Sequence, residues 1–155
     1  MPPHRPILPP LTALAGSIVA AVVVFLPWYE PDLAPPLSPN SVTGWDATIA
    51  ARIVLAGVAL CGLASLAVLL DSRDVIALDG GGIGLLSIVA VLGASASVVA
   101  VAFRAIVLPD PAAELSRQLG IYLAVVGCLV ALAGAAVQLM VSDTAPRLPG
   151  RFGKR

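Results

Sequence analysis

The sequence predicts an all-α membrane protein: a four-transmembrane-helix bundle with its N and C termini cytoplasmic. Composition, four long apolar runs and the placement of proline around them carry that expectation. Hydrophobic residues make up 59% of 155 positions and charged residues 12%, and mean hydropathy is +0.99. Soluble domains carry about 45–50% apolar and about 25% charged residues, so a water-soluble fold could not hide this much apolar surface. Nine basic residues balance nine acidic ones, which leaves no basic excess to recruit nucleic acid.

Crossing ~30 Å of hydrocarbon at ~1.5 Å per residue takes about 20 residues. The apolar runs fall at about 11–28, 49–70, 82–107 and 119–141, and none contains Asp or Glu. All fourteen prolines lie outside the interiors of these runs, Pro27 at the very end of the first, as expected where proline would remove an amide donor and clash with the preceding turn. The resulting plan is a Pro-rich cytoplasmic tail (1–10), a transmembrane domain (11–141) and a basic cytoplasmic tail (142–155). The first run could instead be a secretory signal. It ends in Leu26-Pro27-Trp28-Tyr29-Glu30-Pro31 without a small-x-small cleavage site, so it is read as a retained anchor.

Orientation follows from basic residues near the spans. An even number of spans places Arg5, Arg73, Arg147, Arg151, Lys154 and Arg155 on one side and Arg52, Arg104 and Arg117 on the other. That bias puts both termini inside and makes the protein a multi-pass component of a bacterial plasma membrane. A chain rich in Ala, Val and Gly whose bases are nearly all Arg suggests a GC-rich bacterial source.

The longest connection, 29–48, then faces outward and should be extended and irregular because of its prolines. Trp28, Tyr29 and Trp45 bracket it, where amphipathic rings would sit at headgroup level. Asp46 is the expected N-cap of the second helix, with Gly44 allowing a tight turn before it. The second connection, Asp71 to Gly82, has the glycines of a phosphate loop without its lysine and hydroxyl; it reads as a flexible entry into the third helix. In the third connection, Asp110 and Pro111 predict an N-cap and first helical residue, so the fourth helix should start early and pair Glu114 with Arg117 on one face.

Small residues recur four apart: Gly16 and Ala20, Gly57 and Cys61, Gly93 and Ser97, and Gly127, Ala131 and Ala135. Such faces let helix backbones approach closely in lipid. The fourth helix has the longest face, which predicts a place at the bundle centre or against a partner subunit.

Groups able to do chemistry are few. His4, the single histidine, lies in the N-terminal tail, which rules out a His-based triad and a bundle-core metal site of the Glu-x-x-His kind. Cys61 and Cys128 fall mid-span on different helices, where thiols usually act as small apolar groups. Glu30 and Asp32 could share a proton or an ion but read as solvated loop acids. No catalytic residue, metal or cofactor is expected. Arg104 can snorkel to the interface or pair with Asp46 or Glu30, tying the outer loop to the bundle.

Leu26-Pro27-Trp28-Tyr29 closing the first helix and Thr43-Gly44-Trp45-Asp46 opening the second resemble a pattern in small four-helix membrane proteins of actinobacteria. The arrangement is more distantly similar to claudin-like tetraspan proteins, from which this chain departs: its loop lacks their cysteine pair and is too short for their sheet. The resemblance implies a cell-envelope location and assigns no activity. The expected function is that of a non-enzymatic accessory or scaffold protein, held in the lipid bilayer and contacting another membrane or envelope protein through the fourth helix or outer loop. The alternative is an oligomeric small channel or transporter component built from several copies of this chain.

Overall fold

The computed structural model describes residues 6–31, 41–108 and 115–144. Helix α1 spans Leu8–Val23. Pro9 and Pro10 sit in its first turn, where a missing amide leaves no unpaired donor. The helix ends five residues before the predicted Trp28. Phe25 and Leu26 close a tight turn by donating to the carbonyls of Val22 and Val23 at 3.1 Å each, and Pro27 then forces extended backbone before it. Strand β1 (Pro27–Pro31) follows directly.

Beyond the undescribed residues 32–40 come strand β2 (Val42–Thr43) and the one-turn helix α2 (Gly44–Ala47). Helix α3 (Ile49–Ser72) starts at Thr48, whose Oγ1 accepts from the Ala51 amide at 3.3 Å. The expected cap, Asp46, lies instead inside α2. A short turn leads to α4 (Gly80–Ile106), which Asp79 caps by accepting from the Gly82 amide at 2.8 Å. The glycines of this connection are therefore the first turn of a helix. Strand β3 (Leu115–Arg117) precedes α5 (Leu119–Thr144). Arg117 is thus on a strand and not on an early turn of the last helix; Asp110, Pro111 and Glu114 lie outside the described residues.

Helices α3, α4 and α5 are each long and apolar enough to cross a membrane, and α1 is a shorter apolar helix. They form a ring in which α1 packs on α5 and α3, and α4 packs on α3 and α5. The interior is built from small side chains: Ala13, Ala20, Ala90, Ala94, Ala131 and Ala135 are all fully buried. Large apolar side chains such as Ile18, Leu63, Leu92, Val126 and Met140 lie outside. A protein folding in water would do the reverse, whereas in lipid the outer Leu and Val are solvated and close backbone packing holds the helices. The chain is accordingly a multi-pass membrane protein.

The tightest seam joins α1 to α5. A Cβ on Gly16 would fall 2.9 Å from the Ala131 Cα and the Gly127 carbonyl oxygen, and one on Gly127 would fall 2.9 Å from the Ala20 amide. Gly127 and Ala131 of the predicted face, together with Gly134, therefore meet this chain's own α1, and Ala135 is buried in the interior beside them. The face is used for packing within the bundle. Across the ring, Gly57 and Gly93 bring α3 and α4 together, each Cβ position 2.5 Å from the other's carbonyl oxygen.

Candidate functional site

The described parts of the first and third connections form a folded cap at one end of the bundle. The sheet order is β2-β1-β3, antiparallel throughout. Pairing of Tyr29 with Arg117, Glu30 with Ser116 and Pro31 with Leu115 joins two connections far apart in sequence. The described ends of the loop expected to be extended and irregular, 29–31 and Val42–Thr43, lie in strands, with β3 supplying Glu30 and Pro31 with partners that 29–48 alone lacks; residues 32–40 lie outside the described residues.

Trp28 pins this cap. Its indole is 0% exposed and donates through Nε1 to the Val23 carbonyl at 2.9 Å, satisfying an acceptor freed where α1 ends. The ring is seated between two glycines, Gly44 of α2 and Gly120 in the first turn of α5. Gly44 is thus required for close approach to the ring more than for a turn. Tyr29, 1% exposed, donates its hydroxyl to the Arg104 carbonyl at 3.2 Å. Burial pushes its phenol above the ordinary value, against the opposing pull of the Arg104 and Arg117 guanidinium groups. Both rings are buried in the core cluster with Val23, Val54 and Ile121.

Trp45 takes the other course. It is 37% exposed, stacks on Phe25 with ring centroids 5.9 Å apart, and carries the Arg52 guanidinium 5.1 Å from its ring centre. The ring is thus held by stacking and a cation–π contact at the surface of the cap. Asp46 turns inward on its own helix: its carboxylate accepts from the Thr43 hydroxyl at 2.8 Å, while Thr43 Oγ1 accepts from the Asp46 amide at 3.3 Å. That reciprocal pair closes α2 as a capping box does.

The expected tie between Arg104 and an outer acid is made by other groups. Glu30 accepts from Gln118 Nε2 at 2.6 Å, and Asp46 is engaged with Thr43. Arg104 is held near the cap through its carbonyl and lies against Phe103, 5.6 Å from that ring centre; its Nε is buried without a partner among the described residues. Arg117 instead caps the end of α4, donating from Nη2 to the Ile106 carbonyl at 3.0 Å. Gln118 and Arg117 were missed as cap residues because their partners lie on other segments.

Further polar side chains are buried along the bundle. Gln138 Nε2 donates to Ser87 Oγ at 3.2 Å, and Ser97 donates to the Val54 carbonyl across the α3–α4 seam at 3.0 Å. The Cys61 thiol lies beside Ser17 and Ser65. Both cysteines are free and buried. Among the described residues no three His, Cys, Asp or Glu side chains come together as a metal site would need. Comparison of the chain with family models, with curated proteins and with solved structures finds no match.

Proposed function

We propose that this protein is a four-span component of a bacterial plasma membrane, with both termini cytoplasmic, acting as a non-enzymatic accessory or scaffold protein. Its recognition surface is the cap. One observation carries this reading: a hydrogen-bonded sheet, pinned by two buried aromatic residues, is assembled from two separate connections and leaves the polar edge at Ser41 and Ser116 exposed. So short a sheet needs support from the bundle to persist. A merely connecting loop needs none of it. The route to a partner through the small-residue face of α5 is closed by α1, which narrows the original expectation to the cap. The likeness of the two tetrapeptides to small actinobacterial membrane proteins agrees with an envelope location.

A photo-crosslinking residue at Ser116, and separately at Ser41, in native membranes tests the reading. Discrete adducts to another membrane or envelope protein are expected from both positions, and not from Leu92 in mid-span. Adducts to lipid alone, or none, would remove the scaffold role. Adducts only to a second copy would favour the oligomeric channel or transporter component.

A further inference from the structure

The α1–α3 seam leaves a hollow. A cleft of about 290 Å³ opens there toward lipid, lined by Ser17, Ile18 and Ala21 of α1 and by Ala59, Gly62 and Leu66 of α3 among others. Its floor is made by small residues: a Cβ on Gly62 would meet Ser17 Cβ at 3.3 Å and Leu14 Cδ1 at 3.7 Å, much looser than the α1–α5 seam. Ile18 and Leu63 stand exposed as ridges beside it.

Toward the cap from the cleft are the residues that would meet a headgroup. Arg52 is seven residues, two turns, before Ala59 on the same face of α3, and Phe25 lies in the turn that closes α1 just beyond Ala21. These are the members of the Phe25–Trp45–Arg52 stack already described. Stacking occupies the face of the guanidinium and leaves its N–H edges free to grip an oxyanion in two-pronged fashion. No carboxylate among the described residues pairs with Arg52, since Asp46 is engaged with Thr43 and Glu30 with Gln118. The lining from Ala59 to Leu66 lies ~10–21 Å below Arg52 at ~1.5 Å per residue, the depth of an acyl chain's distal half when each leaflet contributes about 15 Å of hydrocarbon.

We infer that the α1–α3 cleft binds one phospholipid from the leaflet at the cap end, its phosphate on Arg52 and one acyl chain along Ala59, Gly62 and Leu66. A second copy of the chain fits less well. A two-fold partner seated in the same cleft would bring its own Arg52 to the same depth, placing like charges together. The inference rests on the membrane reading and is independent of the cap's partner.

The test is native mass spectrometry of the full chain in detergent, titrated with dipalmitoyl phosphatidylglycerol. Dipalmitoylglycerol supplies the same chains without phosphate, and glycerol 3-phosphate supplies the phosphate without chains. A one-to-one adduct is expected with the phospholipid, and neither fragment should match it. Arg52→Gln, at an exposed side chain, should weaken the adduct about tenfold, the loss of one charge-assisted contact. Ala59→Leu, which fills the cleft, should weaken it similarly, and Arg73→Gln at the far end should leave it unchanged. Equal binding of dipalmitoylglycerol, or phospholipid binding indifferent to both Arg52→Gln and Ala59→Leu, would overturn the proposal. So would a dimer that Ala59→Leu dissolves and phospholipid does not displace. Carbonate washing of the source membranes, with recovery in the pellet, and crosslinking from Ser116 separately report on the membrane and scaffold readings, so each can fail alone.

Discussion

Gly44→Ala should destabilise the protein out of proportion to one methyl group, because the space it needs is held by Trp28. The added Cβ would lie 2.5 Å from Trp28 Cδ2 and 2.8 Å from Nε1, inside any van der Waals contact. The ring cannot swing aside cheaply. Moving it stretches the 2.9 Å bond to the Val23 carbonyl, and its opposite side is confined by Gly120, whose Cβ position is 3.0 Å from Trp28 Cδ1. Overpacking of this kind costs roughly 1–3 kcal/mol, and loss of the indole hydrogen bond adds about 0.5–1.5 kcal/mol if the ring is expelled, the Val23 carbonyl keeping the Leu26 amide as its donor. Unfolding in mixed micelles titrated with a denaturing detergent, followed by tryptophan fluorescence and near-ultraviolet circular dichroism, gives the number. The partner change Trp28→Phe should lessen the cost of Gly44→Ala, yielding a coupling term well above the ~0.3–0.5 kcal/mol seen for independent sites. Gly80→Ala, with nothing within 4 Å of its Cβ position, is the control and should be neutral or slightly stabilising. A Gly44→Ala protein as stable as wild type, or one whose loss simply adds to that of Trp28→Phe, would show that the indole is not clamped.

Gly16→Val places side-chain atoms into the Ala131 backbone across the α1–α5 seam and should cost about 3 kcal/mol or more, read by the same titration; a cost near that of Gly80→Val would refute the seam. With Tyr122 changed to Phe, absorbance at 295 nm reports Tyr29 alone, and its midpoint should lie above the ordinary 10.0 because burial opposes the phenolate. Since the folded value is the raised one, its contribution to stability is complete below pH 10 and is lost as pH climbs through the folded midpoint; a midpoint at or below 10 would contradict the burial. Gln138 Oε1 is buried with no partner among the described residues while its Nε2 donates to Ser87 Oγ, so the paired change Gln138→Leu with Ser87→Ala should be neutral or stabilising, and a loss above about 2 kcal/mol in the same assay would mean that this oxygen is engaged.

The helices were legible because each carries a long apolar run, a signal that lipid imposes on every residue of a span. The end of α1 was not: Leu26-Pro27-Trp28 continues the apolar run, and only the proline marks that the backbone has changed course. Trp28 and Trp45 look alike in sequence, each beside an acid or a tyrosine at a span boundary, yet one is core and the other lies at the surface of the cap. What separates them is β3, three residues that pair with β1 from eighty-six positions away, a contact no local pattern announces. The capping of α2 had a readable signal in the spacing of Thr43 and Asp46, masked by the competing idea that Asp46 begins the longer helix. The small-residue faces were visible in the sequence, but which helix each one meets is a property of the ring and not of any single segment.

The packing of those faces bears on where recognition can reside. Once Gly127 and Ala131 are spent on α1 and Ala135 is buried beside them, what α5 shows to the membrane is Val126, Leu129, Val130 and Met140, side chains that acyl chains solvate as readily as another protein does. Such a surface offers little to distinguish one neighbour from another. Selectivity needs groups whose wrong pairing is costly, meaning hydrogen bonds and charge placed at fixed geometry. In the described structure those groups gather at one end: the open edges of the three-stranded sheet, Arg52 on its tryptophan, and Arg104 beside the Tyr29 bond. The buried indole and phenol beneath them fix that geometry, so loosening Trp28 should cost recognition at the cap well before it costs insertion of the helices.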